Sequence, residues 1–283
     1  MSHLDTPQFK AMMNSGDFAV TPGGPRRREL VHVMKSGEAV ATQQGLSKKL
    51  NIQSNVFTDL VSAQAIGAQN PPPRDGWISY AERTEDAANV IASMSTMWSV
   101  PAAPQTADQQ LIYLFNGLQD AGGSYILQPV LTWGVSPDGG GPFWSVASWY
   151  VDNAGHAFKS PSVNVNIGDT LTGVMTLTGQ SGQAFNYSCQ FAGIAGTELH
   201  VVGIAQLVMP VITLECYGIN SCADYPATPM TAMRGINVST AAGPIALNFS
   251  GINRVVDCGQ STTVVSNAAG SGEVDLSYRG AMG

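Results

Sequence analysis

From about residue 87 onward the chain is a succession of short strand-patterned runs, broken at close intervals by turn residues, with no long helical pattern among them. The runs fall at 91–99, 110–116, 124–133, 143–151, 161–166, 170–179, 183–191, 199–207, 210–218, 232–238, 244–249 and 262–266. Turns such as Pro137-Asp-Gly-Gly-Gly-Pro142, Asp152-Asn-Ala-Gly155 and Gly179-Gln-Ser-Gly182 separate them. The run Thr170–Thr178 alternates, as a strand with one wet and one buried face does. So many short strands in so little chain predict an all-β fold of two packed antiparallel sheets, a sandwich or jelly roll. No repeat of fixed period appears, which disfavours a propeller. Only 12% of residues are charged and 31 are glycine, as a turn-rich β protein requires.

Residues 1–85 read differently and are expected to form an N-terminal extension to a β-sandwich domain at 86–283. They carry most of the lysines and arginines, and are punctuated by Pro22-Gly-Gly-Pro25 and Pro71-Pro-Pro-Arg-Asp-Gly76. Two modest helical patterns lie between: Arg28–Lys35, with Leu30, Val31 and Met34 apolar, and Val56–Ile66, with Leu60, Val61 and Ala65 on one side. The expectation is a partly helical or disordered extension that packs on the main domain or acts as a pro-segment over its cleft.

The formal charge of −7, from 20 acidic and 13 basic residues, argues against a broad nucleic-acid face. Arg26-Arg27-Arg28, the one basic cluster, reads as solvated linker. No run reaches the roughly 18 apolar residues of a membrane span, so no membrane partner is expected. The first residues lack a secretory-signal pattern, so the protein is either cytoplasmic or secreted after loss of a leader. The sequons at Asn186, Asn237 and Asn248 matter only in the second case. Four cysteines allow three complete pairings. Cys216 and Cys222 are near enough to close a small loop, with Cys189 left for Cys258, and free buried thiols are the equal reading.

Two strand-like runs each place one polar residue among apolar ones: Gln128 within Ser124–Trp133 and Glu215 within Pro210–Tyr217. A carboxylate in such a run is costly to bury without a partner or a task. Facing one another across a cleft, the pair would activate a water and polarise a carbonyl. His3, His32, His156 and His200 show no metal spacing, and no metal or cofactor is expected. There is no Gly-x-Ser-x-Gly elbow and no phosphate loop. Cys216 adjoins Glu215 and should point to the opposite face, as structural sulfur rather than a nucleophile.

Six motifs follow in order: Trp98-Ser-Val-Pro101, Ile112-Tyr-Leu-Phe-Asn-Gly117, Ile126-Leu-Gln-Pro129, Ser148-Trp-Tyr150, Val165-Asn-Ile-Gly-Asp169 and Ile212-Thr-Leu-Glu215. Their succession resembles the glutamic peptidases (eqolisins), over roughly residues 90–270. The resemblance implies a concanavalin A-like sandwich with Gln128 and Glu215 as the catalytic pair. Glu215 would take a proton from the attacking water and pass it to the leaving amine, while Gln128 stabilises the oxyanion. Trp133, Trp149 and Tyr150 would wall the substrate cleft. Asn116 and Thr132 stand where the family carries acidic residues, and are expected as hydrogen-bonding partners only.

Fold and dyad do not fix the reaction. Besides a peptide substrate, the same cleft suits a small molecule whose proton Glu215 moves without hydrolysis, as in a cyclase or isomerase. The third reading is a non-catalytic glycan-binding module, since aromatic rings with Asn and Gln side chains suit sugar faces and hydroxyls.

Overall fold

Strands form where the apolar runs end in turns, and they assemble into two large sheets and a two-stranded hairpin, Phe18–Thr21 with Gly24–Arg27. The computed structural model describes residues 15–69, 71, 74–83 and 90–279. Among these, the first sheet has nine strands. From edge to edge it runs Phe249–Asn253, Trp77–Arg83, Leu207–Tyr217, Leu111–Asp120, Ile126–Ser136, Gly139–Val151, Ala157–Lys159 and Val31–Val33. Val163–Asn164 also pairs with Gly139–Val151. The second sheet has eleven. Its order is Ser261–Ser266, Gly272–Ser277, Met230–Thr240, Ser93–Ser99, Thr170–Ser181, Ala184–Phe191, Leu199–Ile204, Glu38–Gln43, Leu46–Asn51 and Val56–Thr58, with Gly243–Pro244 beside Met230–Thr240.

The sheets stack as a sandwich over one large apolar core that includes Trp98, Leu114, Leu131, Met175, Tyr187 and Leu214. A second cluster lies on the far face of the first sheet, built from Val20, Trp77, Tyr113, Phe115, Trp149 and Tyr217. Leu111–Leu118 and Val211–Tyr217 are buried throughout for that reason. A strand covered on both faces reads as a continuous apolar run and loses its alternation.

The helices expected at Arg28–Lys35 and Val56–Ile66 are absent: each stretch holds a strand, Val31–Val33 or Val56–Thr58, and one short 3₁₀ turn. Pairing with distant or neighbouring strands outweighs a weak helical spacing. Val31–Val33 adds in parallel to Ala157–Lys159, and Glu38–Gln43 in parallel to Leu199–Ile204. Trp77–Arg83 pairs antiparallel with Leu207–Tyr217. The region before residue 84 thus supplies strands to both sheets; residues 1–14 of the expected extension lie outside the described residues. Gln44 and Gly45 both hold positive φ between Glu38–Gln43 and Leu46–Asn51, as a tight two-residue hairpin turn requires.

Cys222 and Cys258 form a disulfide, while Cys189 and Cys216 are free and buried. Neither pairing singled out from sequence spacing forms: Cys216 lies in the inter-sheet core, and Cys222 is taken by Cys258. Among the described residues no helix is long and apolar enough to cross a membrane.

Candidate functional site

On Leu207–Tyr217, Ile212, Leu214 and Cys216 enter the inter-sheet core, whereas Val211 and Tyr217 join the second cluster. Glu215 therefore shares the second face. On Ile126–Ser136, Leu127 and Leu131 face the core and Ile126 and Val130 the second cluster, so Gln128 and Thr132 lie on that same face. Trp149, paired with Gln128, is there too. Asn116, Trp133 and Tyr150 are not. Trp133 packs on Trp144 and Tyr150 on Phe158 between the sheets. Asn116 donates through Nδ2 to the Gly173 carbonyl at 3.3 Å. A Cβ on Gly173 would overlap Asn116 Oδ1 and Pro129, so that glycine is what lets the sheets approach. Strand alternation takes these three out of any cleft on the second face.

A shared face does not bring Gln128 to Glu215. Glu215 pairs with Tyr113, and Tyr113 with Thr132, in one row across the sheet. Leu127 pairs with Leu118 and Val130 with Phe115, which sets Gln128 opposite Gly117, and Gly117 pairs with Val211. The two side chains thus start two strands and four residues apart, about 10 Å across the sheet and about 13 Å along it. The carboxylate–carboxamide pair expected from sequence is not assembled by this register.

Glu215 has other company. Its Oε1 accepts hydrogen bonds from the Tyr217 hydroxyl at 2.6 Å and from the Gly23 backbone N–H at 2.7 Å. Its Oε2 is buried with no partner among the described residues. Burial pushes the carboxyl up to about 8, against the opposing pull of those two hydrogen bonds. Burial, with the Glu215 charge adding to it, likewise raises the Tyr113 and Tyr217 phenols. Gly76 makes room for the Tyr217 ring, which any Cβ there would overlap.

What covers this corner is the hairpin Phe18–Thr21/Gly24–Arg27. Tyr113 donates its hydroxyl to the Val20 carbonyl at 3.1 Å, three residues before the Gly23 N–H that meets Glu215. Arg26, read from sequence as solvated linker, is buried. Its guanidinium donates to the Gly155 carbonyl, in the turn between Gly139–Val151 and Ala157–Lys159, and to Thr21, Gly23 and Gly24 of its own hairpin. Burial pulls its pKa down while Tyr217, Asp152 and Glu215 hold it up.

Gln128 has a different setting. It lines a cavity of about 220 Å³, with Arg26, Arg74, Trp77 and Asp152. Gln128 Oε1 and Asp152 Oδ2 are each buried with no partner among the described residues. Nearby, His32 Nε2 and His156 Nδ1 lie 3.0 Å apart, linking strand Val31–Val33 to the residue just before its parallel partner Ala157–Lys159. Burial and the neighbouring His156 hold His32 down to about 3, and burial lowers His156.

Sequence reasoning missed Tyr113, Tyr217, Gly23, Arg26 and Asp152. Tyr217 and Tyr113 carried a signal: Tyr217 sits two residues beyond Glu215, and Tyr113 on a run buried on both faces. The hairpin residues carried none, because their contacts lie about 130 to 190 residues away.

No family model matches the chain, and no curated protein does. Among solved structures, scytalido-glutamic peptidase with a peptide-based transition-state analog aligns at 14% identity and a TM-score of 0.48, covering 72% of this chain and 98% of that one. SCP-B, a member of the eqolisin family of peptidases in complex with the tripeptide Ala-Ile-His, aligns at 14% identity and a TM-score of 0.45, with the same coverage. The CBM2 module of the evolved Dit of Lactobacillus casei BL23 phage J-1 aligns at 12% identity and a TM-score of 0.28, over 49% of this chain and 60% of that one. Likeness at these values extends to neither residues nor chemistry.

Proposed function

We propose that the second face of the nine-stranded sheet is a peptide-binding and peptide-hydrolysing cleft, closed in this form by the chain's own hairpin. One observation carries the reading. The face already holds an extended backbone, Tyr113 donating to a peptide carbonyl and Glu215 accepting from a peptide N–H. An incoming peptide in the place of Val20–Gly23 would meet the same donor and acceptor. With the hairpin withdrawn, Glu215 regains water, loses the burial that raises it, and ionises in the ordinary carboxylate range. It then takes a proton from water as the oxygen attacks the carbonyl carbon, and returns it to the leaving amine as the C–N bond breaks. Tyr113 is the donor for the oxyanion, in the role that Gln128 is too distant to fill. Loss of such a donor costs about 3 kcal/mol, a hundredfold or more in rate.

The test compares the full chain, a chain lacking residues 1–27, and that shorter chain carrying Glu215→Gln, each incubated with denatured protein between about pH 2 and 8. Fragments are expected from the shortened chain, far fewer from the full chain and none from the Glu215→Gln form. Tyr113→Phe should slow cleavage about a hundredfold. Absence of fragments from a folded, shortened chain at every pH sinks the proposal, as does cleavage indifferent to Glu215.

A further inference from the structure

The hairpin that covers Glu215 carries a buried cation onto the body of the sandwich. Arg26 is 6% exposed, and its Nε donates to the Gly155 carbonyl at 3.0 Å, a partner 129 residues away in sequence. Asp152 lies in the same turn as Gly155 and is buried as well. Its Oδ1 accepts from the His156 backbone N–H at 2.8 Å, which fixes the shape of that turn. The tip of the hairpin rests on the guanidinium and on the body: a Cβ at Gly23 would lie 3.9 Å from Arg26 Nη1 and 4.0 Å from Val151. The remaining bonds of Arg26, to Thr21 Oγ1 and to the Gly23 and Gly24 carbonyls, stay within the hairpin.

Three carboxyl groups of the body, Asp75, Asp152 and Glu215, act on that guanidinium through their charge. Arg74, the other guanidinium of the cavity wall, is already engaged with Glu82. When the hairpin withdraws, Arg26 and its three internal acceptors leave together. The Gly155 carbonyl and the three carboxyl groups remain, and Glu215, returned to water, ionises and adds its charge. A partly buried acidic corner robbed of its cation is strongly disfavoured. We infer that the cleft selects peptides that bring an arginine side chain to the place Arg26 holds, with Gly155 and Asp152 recognising it. What fills that place rests on the hydrolytic reading; that a guanidinium fits it does not. Arginine suits it better than lysine. Arg26 uses one edge of its planar fork for Gly155 and another nitrogen for the hairpin, and a guanidinium loses its water more readily than an ammonium. A glutamate would set a fourth carboxylate among three.

The experiment is ligand-observed saturation-transfer NMR on the full chain carrying Arg26→Ala, which empties the berth without truncation. The probes are N-acetyl-arginine methylamide and its lysine, glutamate and citrulline counterparts, citrulline keeping the shape of arginine without its charge. Saturable binding of the arginine probe is expected, weaker for lysine, and at least tenfold weaker for citrulline and glutamate. Adding Asp152→Asn should weaken it at least tenfold, while the asparagine keeps an oxygen for the His156 N–H. The wild-type chain, its berth filled, should bind the arginine probe at least tenfold less well. Equal binding to the wild-type chain, which marks a general pull of the acidic surface, overturns the inference. So does binding indifferent to Asp152, binding of citrulline as tight as arginine, or no binding. Should Arg26→Ala fail to fold, millimolar ethylguanidinium should restore its near-UV circular dichroism and ethylammonium should not; no restoration by the guanidinium is equally fatal. None of these readouts requires a bond to be cut, so the two readings fail separately. Arginine binding in a chain that cleaves nothing sinks hydrolysis alone, and cleavage indifferent to arginine in the peptide sinks this selectivity alone.

Discussion

Glu215 and Gln128 look alike in sequence, each a single polar residue in an apolar strand, and both are buried on one face of one sheet. Their surroundings differ. Glu215 is sealed under a hairpin and holds two hydrogen bonds through one oxygen. Gln128 borders a cavity, and its carbonyl oxygen finds no partner among the described residues. The polar residue marks a place where the fold tolerates a cost, but what that cost supports is set by whatever the rest of the chain lays over it.

The largest expected effect tests the sealed corner. Glu215 titrates near 4.5 when exposed and about 8 when buried here, so the folded form holds its proton more tightly. The resulting stability is complete below about pH 4.5 and is lost as pH rises toward 8, at up to about 1.4 kcal/mol per pH unit. Urea denaturation across that range should show the slope, and Glu215→Gln should flatten it. A wild-type chain without the slope would mean that Glu215 is solvated and the hairpin open.

Tyr217→Phe comes next. It removes one of the two donors to Oε1 and should cost about 1–3 kcal/mol in the same denaturation experiment. An effect under 0.5 kcal/mol, roughly the scatter of surface substitutions, would argue that the phenol bond is not formed in solution.

The histidine pair gives an effect of opposite sign. His32 and His156 bind protons less well when folded, so their contribution is complete above about pH 6.5 and is lost as pH falls toward 3. His32→Asn should shallow that acid limb while leaving the alkaline one to Glu215. An unchanged acid limb would assign it to other groups.

Smallest of all is Gln128→Leu. Removing a buried acceptor that has no partner among the described residues should be neutral within about 0.5 kcal/mol, or slightly stabilising. A loss above 1 kcal/mol would mean that a bound water or ligand already satisfies Gln128, and the contrast between the two corners would narrow.

The sandwich was legible because the evidence for it is local. Thr170–Ser181 alternates in the structure much as in the sequence, and the turn at Asp152–Gly155 falls where expected, while Gly139–Pro142 and Gly179–Ser181 belong to strands that run into their turns. Residues 31–58 were misread because Val31–Val33 and Glu38–Gln43 find their partners more than a hundred residues away, and no local pattern records such pairing. Glu215 and Gln128 were legible as unusual, and alternation placed both on one face. Their separation was not, since register between strands is invisible until both neighbours of Leu111–Asp120 are aligned on it. Asn116, Trp133 and Tyr150 were assigned to the cleft by motif, although their parity with Leu114, Leu131 and Val146 already pointed inward.

The parallel join of Val31–Val33 to Ala157–Lys159 bears on how the molecule is made. During synthesis the early strand leaves the ribosome with its docking edge still untranslated, and must wait in water until more than a hundred further residues have emerged. Pairings of such long range form late and slowly. The part of the chain born first is then among the last to settle, and the nascent protein travels with its interior unshuttered until that moment.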